Sequence, residues 1–396
     1  MSTAAPRLLL LLGQSPFDPT SGAAQSTRII AEILARTGFD VRSLATTACE
    51  GDPPGGHDLV LADSPISFLP GNNATILRLH SRGIDHSLVV VDATWRHEWV
   101  RHVGPRFDAA YADILQTWQP DIVLTYGGDR ADLARRKLAR AAGAKVVFAL
   151  HNLAYRKQPP AEVNHILVPT QYLANAYRGV LETAITVLPP PLDPERVLAT
   201  QREPQAVGFI NPEPAKGATI AAQLADRLGR ERPEVPLLVI GGRVPPEALA
   251  VAGRDINLDL TKYPNLLECP ATARVKDVWA ALRVVLMPSV VREAAGRCAL
   301  EAMLNGIVPL VSNQGGLAEI VGDAGVRLPA PPPLEGRARR VPQSLVDVWW
   351  RALVNAFDDY PTGPRAAACR IHAERFTVDA LSPAYDQWFR SLLTRS

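Results

Sequence analysis

Residues 284–312 read VVLMPSVVREAAGRCALEAMLNGIVPLVS and alternate between an apolar run, a polar loop, a helix-forming segment and a second apolar run. The first run, residues 284–289, is typical of a buried strand, and the loop follows its carboxyl end. After Gly296 come Ala, Leu, Glu and Met, which are strong helix formers, and Gly306 is a natural helix stop. The stretch therefore predicts a strand–loop–helix–strand unit of the kind that builds parallel sheets.

Apolar runs of four to seven residues alternate with helix-length segments along the rest of the chain. The alternation restarts at residue 206, after the proline-rich stretch 188–205, which is predicted to be a linker. The predicted strands are LLLLLG (8–13), FDVRSLAT (39–46), DLVLAD (58–63), SLVVVDAT (87–94), DIVLTYGG (121–128), KVVFALHN (145–152), HILVPT (165–170), AITVLPPP (184–191), AVGFIN (206–211), PLLVIGG (236–242), NLLECP (265–270), VVLMPS (284–289), VPLVS (308–312) and GVRL (325–328). The sequence predicts an α/β fold of two doubly wound, Rossmann-like domains, with parallel sheets covered on both faces. Ligands are expected in a cleft beyond the carboxyl ends of the strands of both halves.

The size and charge of the chain limit its organisation and its partners. It has 396 residues, more than one hydrophobic core normally serves. The predicted domains are residues 1–195 and 206–370, followed by a helical segment at 371–396. A composition of 47% hydrophobic and 21% charged residues is that of a globular protein. A net charge of +2 does not suggest nucleic acid or a membrane surface as a partner.

The cysteines and the apolar runs indicate the compartment. Cys49, Cys269, Cys298 and Cys369 are scattered, with no CxxC or Cys/His cluster, so neither a zinc site nor a disulfide framework is indicated. Reduced thiols in a cytoplasm fit best. The apolar N-terminal run is too short for a signal peptide, and no run approaches the ~20 apolar residues of a transmembrane helix. We therefore expect a cytoplasmic protein.

Two glutamates, Glu293 and Glu301, lie on either side of Gly296 in the predicted loop and helix. The free N–H groups and positive dipole end of a helix N-terminus favour a phosphate, and a glycine there allows close approach. Glu301 lies about one turn into the helix, roughly 6–8 Å further along its axis. Because carboxylates accept hydrogen bonds from hydroxyls, the pair suits a sugar, ribose and diphosphate ligand. An isolated pair with this spacing is more often a solvated loop residue and a surface helix position.

A longer stretch, PSVVREAAGRCALEAMLNGIVPLVSNQGGLAEIVGDAG (288–325), resembles the donor-binding signature of retaining family-4 glycosyltransferases of the GT-B fold. The matching positions are Ser289, Glu293, Gly296, Glu301, Ala302, Met303, Gly306, Gly315, Gly316 and Glu319. The resemblance extends along nearly the whole chain. It implies two Rossmann-like domains facing a central cleft, with the acceptor bound by the N-terminal domain and the nucleotide-sugar donor by the C-terminal domain. It also implies that the helix at 371–396 returns to the N-terminal domain.

Two landmarks of this family fall in the first half of the chain. SPFDPTSGAAQ (15–25) resembles the loop whose small residues approach the donor phosphates. Gly22 matches the family glycine, whereas Ser21 replaces the first glycine of the usual pair. FALHNLAY (148–155) resembles the loop whose histidine, here His151, reaches the donor sugar. Taken alone, a histidine after a strand is more often structural.

A third landmark opens the second half of the chain. INPEPAKG (210–217) resembles the segment in which a basic pair holds the diphosphate. Lys216 matches the family lysine, although a lone lysine before a helix is ordinarily solvated. Asn211 stands where the family has arginine, which removes a contact of about 1–3 kcal/mol. Ala295 replaces a common aromatic residue, which could loosen the sugar pocket. The donor-binding set implied by the resemblance is Gly22, Asn211, Lys216, Ala295, Gly296, Arg297, Glu301, Gly316 and Glu319.

Acceptor residues are sought in the loops of the N-terminal half, SPISFLPGNN (64–73), DATWRHEW (92–99) and TYGGDR (125–130). The candidates are Trp95, His97, Tyr126 and Asp129, which are residue types suited to sugars or polar small molecules. Packing and capping roles are equally plausible for them.

The function implied is transfer of a hexose-type sugar from a nucleoside diphosphate, with UDP favoured and GDP possible, to an acceptor hydroxyl with retention. Glu293, His151 and Lys216 are the predicted catalytic residues, and front-face attack is favoured over a covalent intermediate. A metal is not required, because a lysine and a helix terminus supply positive charge. No cofactor is predicted. The alternatives are a nucleotide-sugar 2-epimerase on the same scaffold, a phosphorylase-like enzyme, for which no pyridoxal lysine is evident, and a catalytically degenerate GT-B scaffold.

Overall fold

The computed structural model describes residues 4–50, 66–71, 73, 75–91, 103–272, 274–332, 340–360 and 363–394. The predicted strand at 58–63 and the acceptor candidates Trp95 and His97 lie outside the described residues. By its internal contacts the chain divides into two units, residues 1–191 with 378–396 and residues 192–377.

The first unit alternates strands and helices. Its elements are β1 Arg7–Leu11, α1 Gly22–Arg36, β2 Asp40–Thr46, β3 Ile66–Phe68, β4 Ile76–Ser81, β5 Ile84–Val89, α2 Gly104–Thr117, β6 Ile122–Thr125, α3 Arg130–Ala141, β7 Lys145–Ala149, a 3-10 turn Ala154–Arg156, β8 His165–Val168, α4 Gln171–Tyr177, β9 Ile185–Val187 and, at the end of the chain, α13 Val378–Thr394. They form one sheet in the order β3-β4-β5-β2-β1-β6-β7-β8-β9. From β5 to β9 all neighbouring strands are parallel.

The leucine run of β1 explains why this sheet is covered on both faces. Leu8 and Leu10 belong to one hydrophobic cluster, whereas Leu9 and Leu11 belong to another on the opposite face. All four side chains are buried. Successive side chains of a strand point to opposite faces, so an unbroken apolar run is what a strand between two helical layers requires.

One edge of this sheet differs from the all-parallel prediction. The strands β3, β4 and β5 pair antiparallel, and only part of β5 lies in the run predicted as a strand at 87–94. Arg82 and Gly83 join β4 to β5 and both have positive φ, 50° and 80°. Two positive φ angles in a two-residue loop are typical of a tight hairpin turn. The Arg–Gly pair between ILRLHS and IDHSLV is the sequence signal that the strand prediction missed.

The last helix packs on the first. Tyr385, Phe389 and Leu392 of α13 are buried in the same cluster as Ile29 and Ile33 of α1. The helices are also joined by an ion pair between Arg36 and Asp379, at 2.9 Å. The C-terminal segment from residue 378 therefore completes the first unit.

The second unit is a regular strand–helix alternation. Its elements are α5 Pro194–Val197, β10 Ala206–Ile210, a 3-10 turn Pro214–Lys216, α6 Ala218–Glu231, β11 Leu237–Ile240, α7 Ala248–Asp255, β12 Leu266–Cys269, α8 Val275–Ala281, β13 Leu282–Met287, α9 Arg297–Leu304, β14 Val308–Ser312, α10 Gly315–Val321, β15 Val326–Leu328, α11 Gln343–Asp358 and α12 Pro364–Glu374. The sheet order is β12-β11-β10-β13-β14-β15, and all pairs are parallel. The predicted α/β fold with two Rossmann-like units is confirmed.

The segment 188–205 is more ordered than its prediction as a linker. It contains α5, whose first turn is capped by the side chain of Asp193 on the N–H of Glu195 at 3.0 Å. Leu192 is fully buried and donates its N–H to the carbonyl of Phe376 at 2.8 Å. Prolines at 189–191 interrupt the strand pattern, but the apolar side chains after them pack in the second unit.

Candidate functional site

The strand order of the second unit marks a position for a site. The chain builds β10, β11 and β12 outward in one direction, then returns to place β13 on the other side of β10. Ligands of open α/β sheets bind beyond the carboxyl ends of the strands at such a reversal. The two loops that leave this point are residues 211–217, after β10, and residues 288–296, after β13.

A lysine and a glutamate from these two loops form an ion pair. Lys216 Nζ lies 2.7 Å from Glu293 Oε2. The side chains are 29% and 14% exposed, so both are largely withdrawn from water but still reachable from it. The structure therefore brings together two of the three predicted catalytic residues.

The carboxylate of Glu293 is held at its second oxygen as well. The buried hydroxyl of Ser289 donates to Glu293 Oε1. The side-chain amide of Gln314 in turn donates to the backbone carbonyls of Ser289 and Val290, at 3.0 and 2.9 Å. Glu293 is thus fixed by a lysine from the β10 loop, a serine of its own loop and a glutamine that supports that loop.

Three glycines let the loops approach one another at backbone distance. Gly217 has φ +86°, and a Cβ there would overlap the carbonyl oxygen of Pro288. Gly315 has φ +66°, and a Cβ would lie 2.8 Å from the carbonyl oxygen of Glu293. At Gly316 a Cβ would overlap the carbonyl of Ala294. A side chain at any of these positions would push the loops apart, which explains the glycines by packing rather than by flexibility alone.

Helix α9 begins at the site, as the sequence predicted. Gly296 is its N-cap, and as a glycine it has no side chain with which to cap the first turn. A Cβ on Gly296 would lie 2.3 Å from a methyl carbon of Leu317 on α10, so that flexible side chain would have to move. The first N–H groups of a helix have no partner inside the helix, and they carry the positive end of its dipole.

Glu301 is buried and paired, not a surface helix position. Its Oε1 accepts a hydrogen bond from Nε of Arg297 at 2.6 Å, and the two side chains are 7% and 10% exposed. Nη1 of Arg297 is buried and has no hydrogen-bond partner among the residues that the structure describes. Neither Glu293 nor Glu301 therefore points into bulk water.

Asn211 has a structural task at its position. Its φ is +56°. Its Oδ1 accepts the backbone N–H of Arg243 at 3.1 Å, and its Nδ2 donates to Glu213 at 3.1 Å. The amide side chain thus holds the loop after β11. Asparagine tolerates the left-handed conformation better than most residues, which explains its presence there.

The remaining predicted residues of the second unit lie around this centre. Ala295 is partly buried and packs against the hydrophobic core. Glu319 is exposed on α10, three residues beyond Gly316. Sequence reasoning passed over Gln314 and gave Ser289 no role, although the i, i+4 spacing of Ser289 and Glu293 was a usable signal.

In the first unit, Gly22 is the first residue of α1, and Ser21 caps that helix through its hydroxyl on the N–H of Ala24 at 3.4 Å. A Cβ added to Gly22 would meet no atom of the described residues within 4 Å. Packing against these residues therefore does not require a glycine there, in contrast to Gly217 and Gly316.

His151 follows β7. Its Nε2 lies 2.9 Å from the hydroxyl of Thr27 on α1. Its ring meets the ring of Tyr126 edge-on, with centroids 5.6 Å apart. Burial lowers the pKa of His151 from 6.5 to about 4, so the ring is neutral at pH 7. The structure thus joins Tyr126, an acceptor candidate, to His151.

Asp129, the other described acceptor candidate, caps a helix. Its carboxylate accepts the N–H of Asp132 at 2.7 Å, and the Asp132 carboxylate accepts the N–H of Asp129 at 3.3 Å. This reciprocal pair is a capping box at the start of α3. It matches the capping role that the sequence left open.

The residues in the described ranges contain no group of three or more His, Cys, Asp or Glu side chains placed to hold a metal ion. Among the helices formed by the same ranges, none combines the length and the apolar character needed to cross a membrane.

Comparison with known proteins relates part of the chain to a family and the whole chain to solved structures. Residues 205–341 match the family described as Glycosyl transferases group 1. Sucrose-phosphate synthase from Thermosynechococcus elongatus is 15% identical, with a TM-score of 0.68 over 99% of this chain and 100% of that chain. Anabaena Alr3699/HepE in complex with UDP-glucose is 16% identical, with a TM-score of 0.67 over 97% and 99%. The catalytic domain of Starch Synthase IV from Arabidopsis thaliana, bound to ADP and acarbose, is 15% identical, with a TM-score of 0.68 over 99% and 100%. No curated protein sequence matches the chain.

The fold is that of GT-B glycosyltransferases, and the family match covers the part of the second unit that contains Lys216, Glu293 and α9. Residues 205–341 are thus similar to the glycosyl transferases group 1 family.

Proposed function

We propose that the protein transfers a hexose-type sugar from a nucleoside-diphosphate sugar, with UDP-sugar favoured over GDP-sugar, to an acceptor hydroxyl with retention at the anomeric carbon. The observation that carries this proposal is the ion pair of Lys216 and Glu293 at the point where the strand order reverses, beside the uncapped start of α9. The complex of HepE with UDP-glucose, a structural neighbour, supports a UDP-sugar as the first donor to try.

The positive groups of this centre suit a leaving diphosphate. Lys216 and the first N–H groups of α9 lie on the two loops that flank the reversal. As the bond from the anomeric carbon to the diphosphate breaks, negative charge grows on the diphosphate oxygens. Fixed cations and amide dipoles stabilise such a charge without reorganising, which is the largest contribution in many enzymes.

The carboxylates suit the hydroxyls of the donor. Glu293 is positioned by Lys216 and Ser289 before any ligand arrives, so little entropy is lost when it accepts hydrogen bonds from sugar hydroxyls. Glu301 is assigned to the ribose, and Arg297 holds its carboxylate in place through Oε1. The proposed donor-binding set is completed by Gly22, Asn211, Ala295, Gly296, Gly316 and Glu319.

The proposed reaction is a front-face substitution. The bond from the anomeric carbon to the diphosphate oxygen breaks, and a bond to the acceptor oxygen forms on the same face. The acceptor proton passes to the departing diphosphate. A metal ion is not required in this scheme, because Lys216 and the α9 amides supply the positive charge.

The acceptor is assigned to loops of the first unit. The candidates are Tyr126, whose ring lies beside that of His151, and Trp95, His97 and Asp129, whereas His151 itself is assigned to the donor sugar. We propose a cytoplasmic location, in line with four cysteines that are all free thiols.

A donor panel tests the proposal. The purified protein is incubated with UDP- and GDP-sugars, and release of nucleoside diphosphate and transfer to simple hydroxyl acceptors are measured. Turnover with one donor, reduced at least about tenfold in Glu293→Gln, is the expected result. Thermal stabilisation by UDP or GDP without turnover on any donor would instead indicate a catalytically degenerate scaffold. Unchanged turnover in Glu293→Gln would remove that carboxylate from the site.

A further inference from the structure

Thr27 lies between a backbone carbonyl and the imidazole of His151. It is fully buried on α1. Its Oγ1 is 2.7 Å from the carbonyl oxygen of Ala23, one helical turn earlier, and 2.9 Å from Nε2 of His151. All three residues belong to the first unit.

The number of protons on the hydroxyl of Thr27 decides which atom donates in each of these two hydrogen bonds. A carbonyl oxygen carries no proton, so an oxygen–oxygen distance of 2.7 Å is a hydrogen bond only if the threonine hydroxyl donates. Threonine has a single hydroxyl proton, and the hydroxyl donates it in the hydrogen bond to the carbonyl oxygen of Ala23. Thr27 can then only accept at its second contact, which requires a proton on Nε2 of His151.

The imidazole of His151 carries one nitrogen-bound proton. Burial keeps the pKa of His151 at about 4, so the imidazole is neutral at pH 7. A neutral imidazole with its proton on Nε2 has a bare lone pair on Nδ1. Within the part of the chain that the structure describes, no hydrogen-bond donor lies on Nδ1 of His151. The edge of the Tyr126 ring packs against the imidazole and helps to fix its plane.

We propose that Thr27 is a positioning residue that sets the tautomer of His151, so that Nε2 carries the proton and Nδ1 accepts a hydrogen bond from a substrate hydroxyl. The role of Nδ1 as acceptor for a substrate hydroxyl rests on the proposed function. In that function His151 orients a hydroxyl of the donor sugar, and its Nδ1 accepts the hydrogen bond from that hydroxyl. The alternative tautomer would present an N–H at the same place and would select a substrate carbonyl or phosphate oxygen instead.

The tautomer is measured without any substrate. Long-range proton–nitrogen correlation spectra of ¹⁵N-histidine-labelled protein at pH 7 distinguish a protonated ring nitrogen from a bare one, and His151→Gln identifies the signals of His151. The expected pattern has the proton on Nε2. In Thr27→Val, which keeps the shape and removes the hydroxyl, we expect a mixture of tautomers; in Thr27→Ser, which keeps the hydroxyl, we expect the wild-type pattern.

Activity supplies a second test. Transfer should fall about tenfold in Thr27→Val and return to near the wild-type rate in Thr27→Ser, in line with the loss and recovery of one orienting hydrogen bond. His151→Asn places an amide oxygen near the position of Nδ1, whereas His151→Gln places it near Nε2. The asparagine variant should therefore retain more activity than the glutamine variant.

The tautomer spectra and the transfer assay can each contradict a different part of the proposal. A proton on Nδ1 in the wild type, or a Thr27→Val spectrum with the same tautomer as the wild type, would overturn the positioning role of Thr27. The expected tautomers together with no transfer from any nucleotide sugar would overturn the proposed function and leave the tautomer assignment standing.

Discussion

Gly316 donates its backbone N–H to the carbonyl oxygen of Glu293 at 2.7 Å, and this bond ties the start of α10 to the loop after β13. On its other side the same loop is tied to the β10 turn, because Val290 donates its N–H to the carbonyl of Ala215 at 3.0 Å. The Lys216–Glu293 pair is therefore set by backbone contacts among three loops and not only by the mutual attraction of the two charges.

Gly316→Ala is the first prediction that follows. The added Cβ would overlap the carbonyl of Ala294, so the loops must separate or the helix must shift. We expect a loss of about 1–3 kcal/mol in the free energy of unfolding, the usual cost of forcing atoms into a packed site. Denaturant unfolding of the two proteins measures this. An equally stable variant would show that the approach of the loops is not tight.

Gly22→Ala is the matched control and a prediction of its own. The added Cβ meets no atom within 4 Å in the described part of the chain, so the free energy of unfolding should stay within about 0.5 kcal/mol of the wild type. If the donor phosphates approach this glycine, as proposed, the variant should bind the donor more weakly. Isothermal titration with the nucleoside diphosphate checks this, and unchanged affinity would remove Gly22 from the site.

Asn211→Arg restores the residue type expected at this position from the resemblance, and we predict that it weakens the protein. The new side chain cannot accept the N–H of Arg243, and arginine tolerates a φ of +56° less well than asparagine. A loss of about 1–3 kcal/mol in stability is expected, with no gain in diphosphate affinity. Thermal unfolding and a diphosphate titration measure the two quantities. Tighter binding at unchanged stability would contradict the structural role of Asn211.

Much of this architecture is readable from local sequence. Apolar runs bounded by loops located the strands of the parallel sheets, and Gly296 followed by strong helix formers located the start of α9. The tight turn at Gly83 was not predicted, because the preceding residue is arginine, which seldom adopts positive φ. The family resemblance singled out Lys216 and Glu293, but not that they form an ion pair.

Contacts between distant parts of the chain were not predictable from one sequence. Thr27 and His151 are 124 positions apart and meet only because α1 packs beside the end of β7. The structural use of Asn211 was hidden for the same reason, since its partner Arg243 follows a different strand. In both cases the sequence identified the residue but not the residue that it contacts.

Removal of metal ions is a further test of the proposed mechanism. If Lys216 and the amides of α9 stabilise the leaving diphosphate, transfer in excess EDTA should stay within about twofold of the untreated rate. Lys216→Met should then reduce transfer by at least about tenfold in the presence or absence of Mg²⁺. Loss of activity in EDTA with recovery on adding Mg²⁺ would contradict a metal-independent reaction.

The pH dependence of stability reports on His151. Its pKa is about 4 in the folded protein against 6.5 for the ordinary side chain. Above pH 6.5 the ring is neutral in both states and contributes no pH dependence. Between pH 6.5 and 4, His151 binds a proton in the unfolded chain but not in the folded protein, so the free energy of unfolding falls as the pH falls. The free energy of unfolding should therefore drop by up to about 3 kcal/mol more in the wild type than in His151→Gln between pH 7 and pH 4. Urea unfolding of both proteins across this range measures the difference, and parallel curves would show that the imidazole is not buried as a neutral ring.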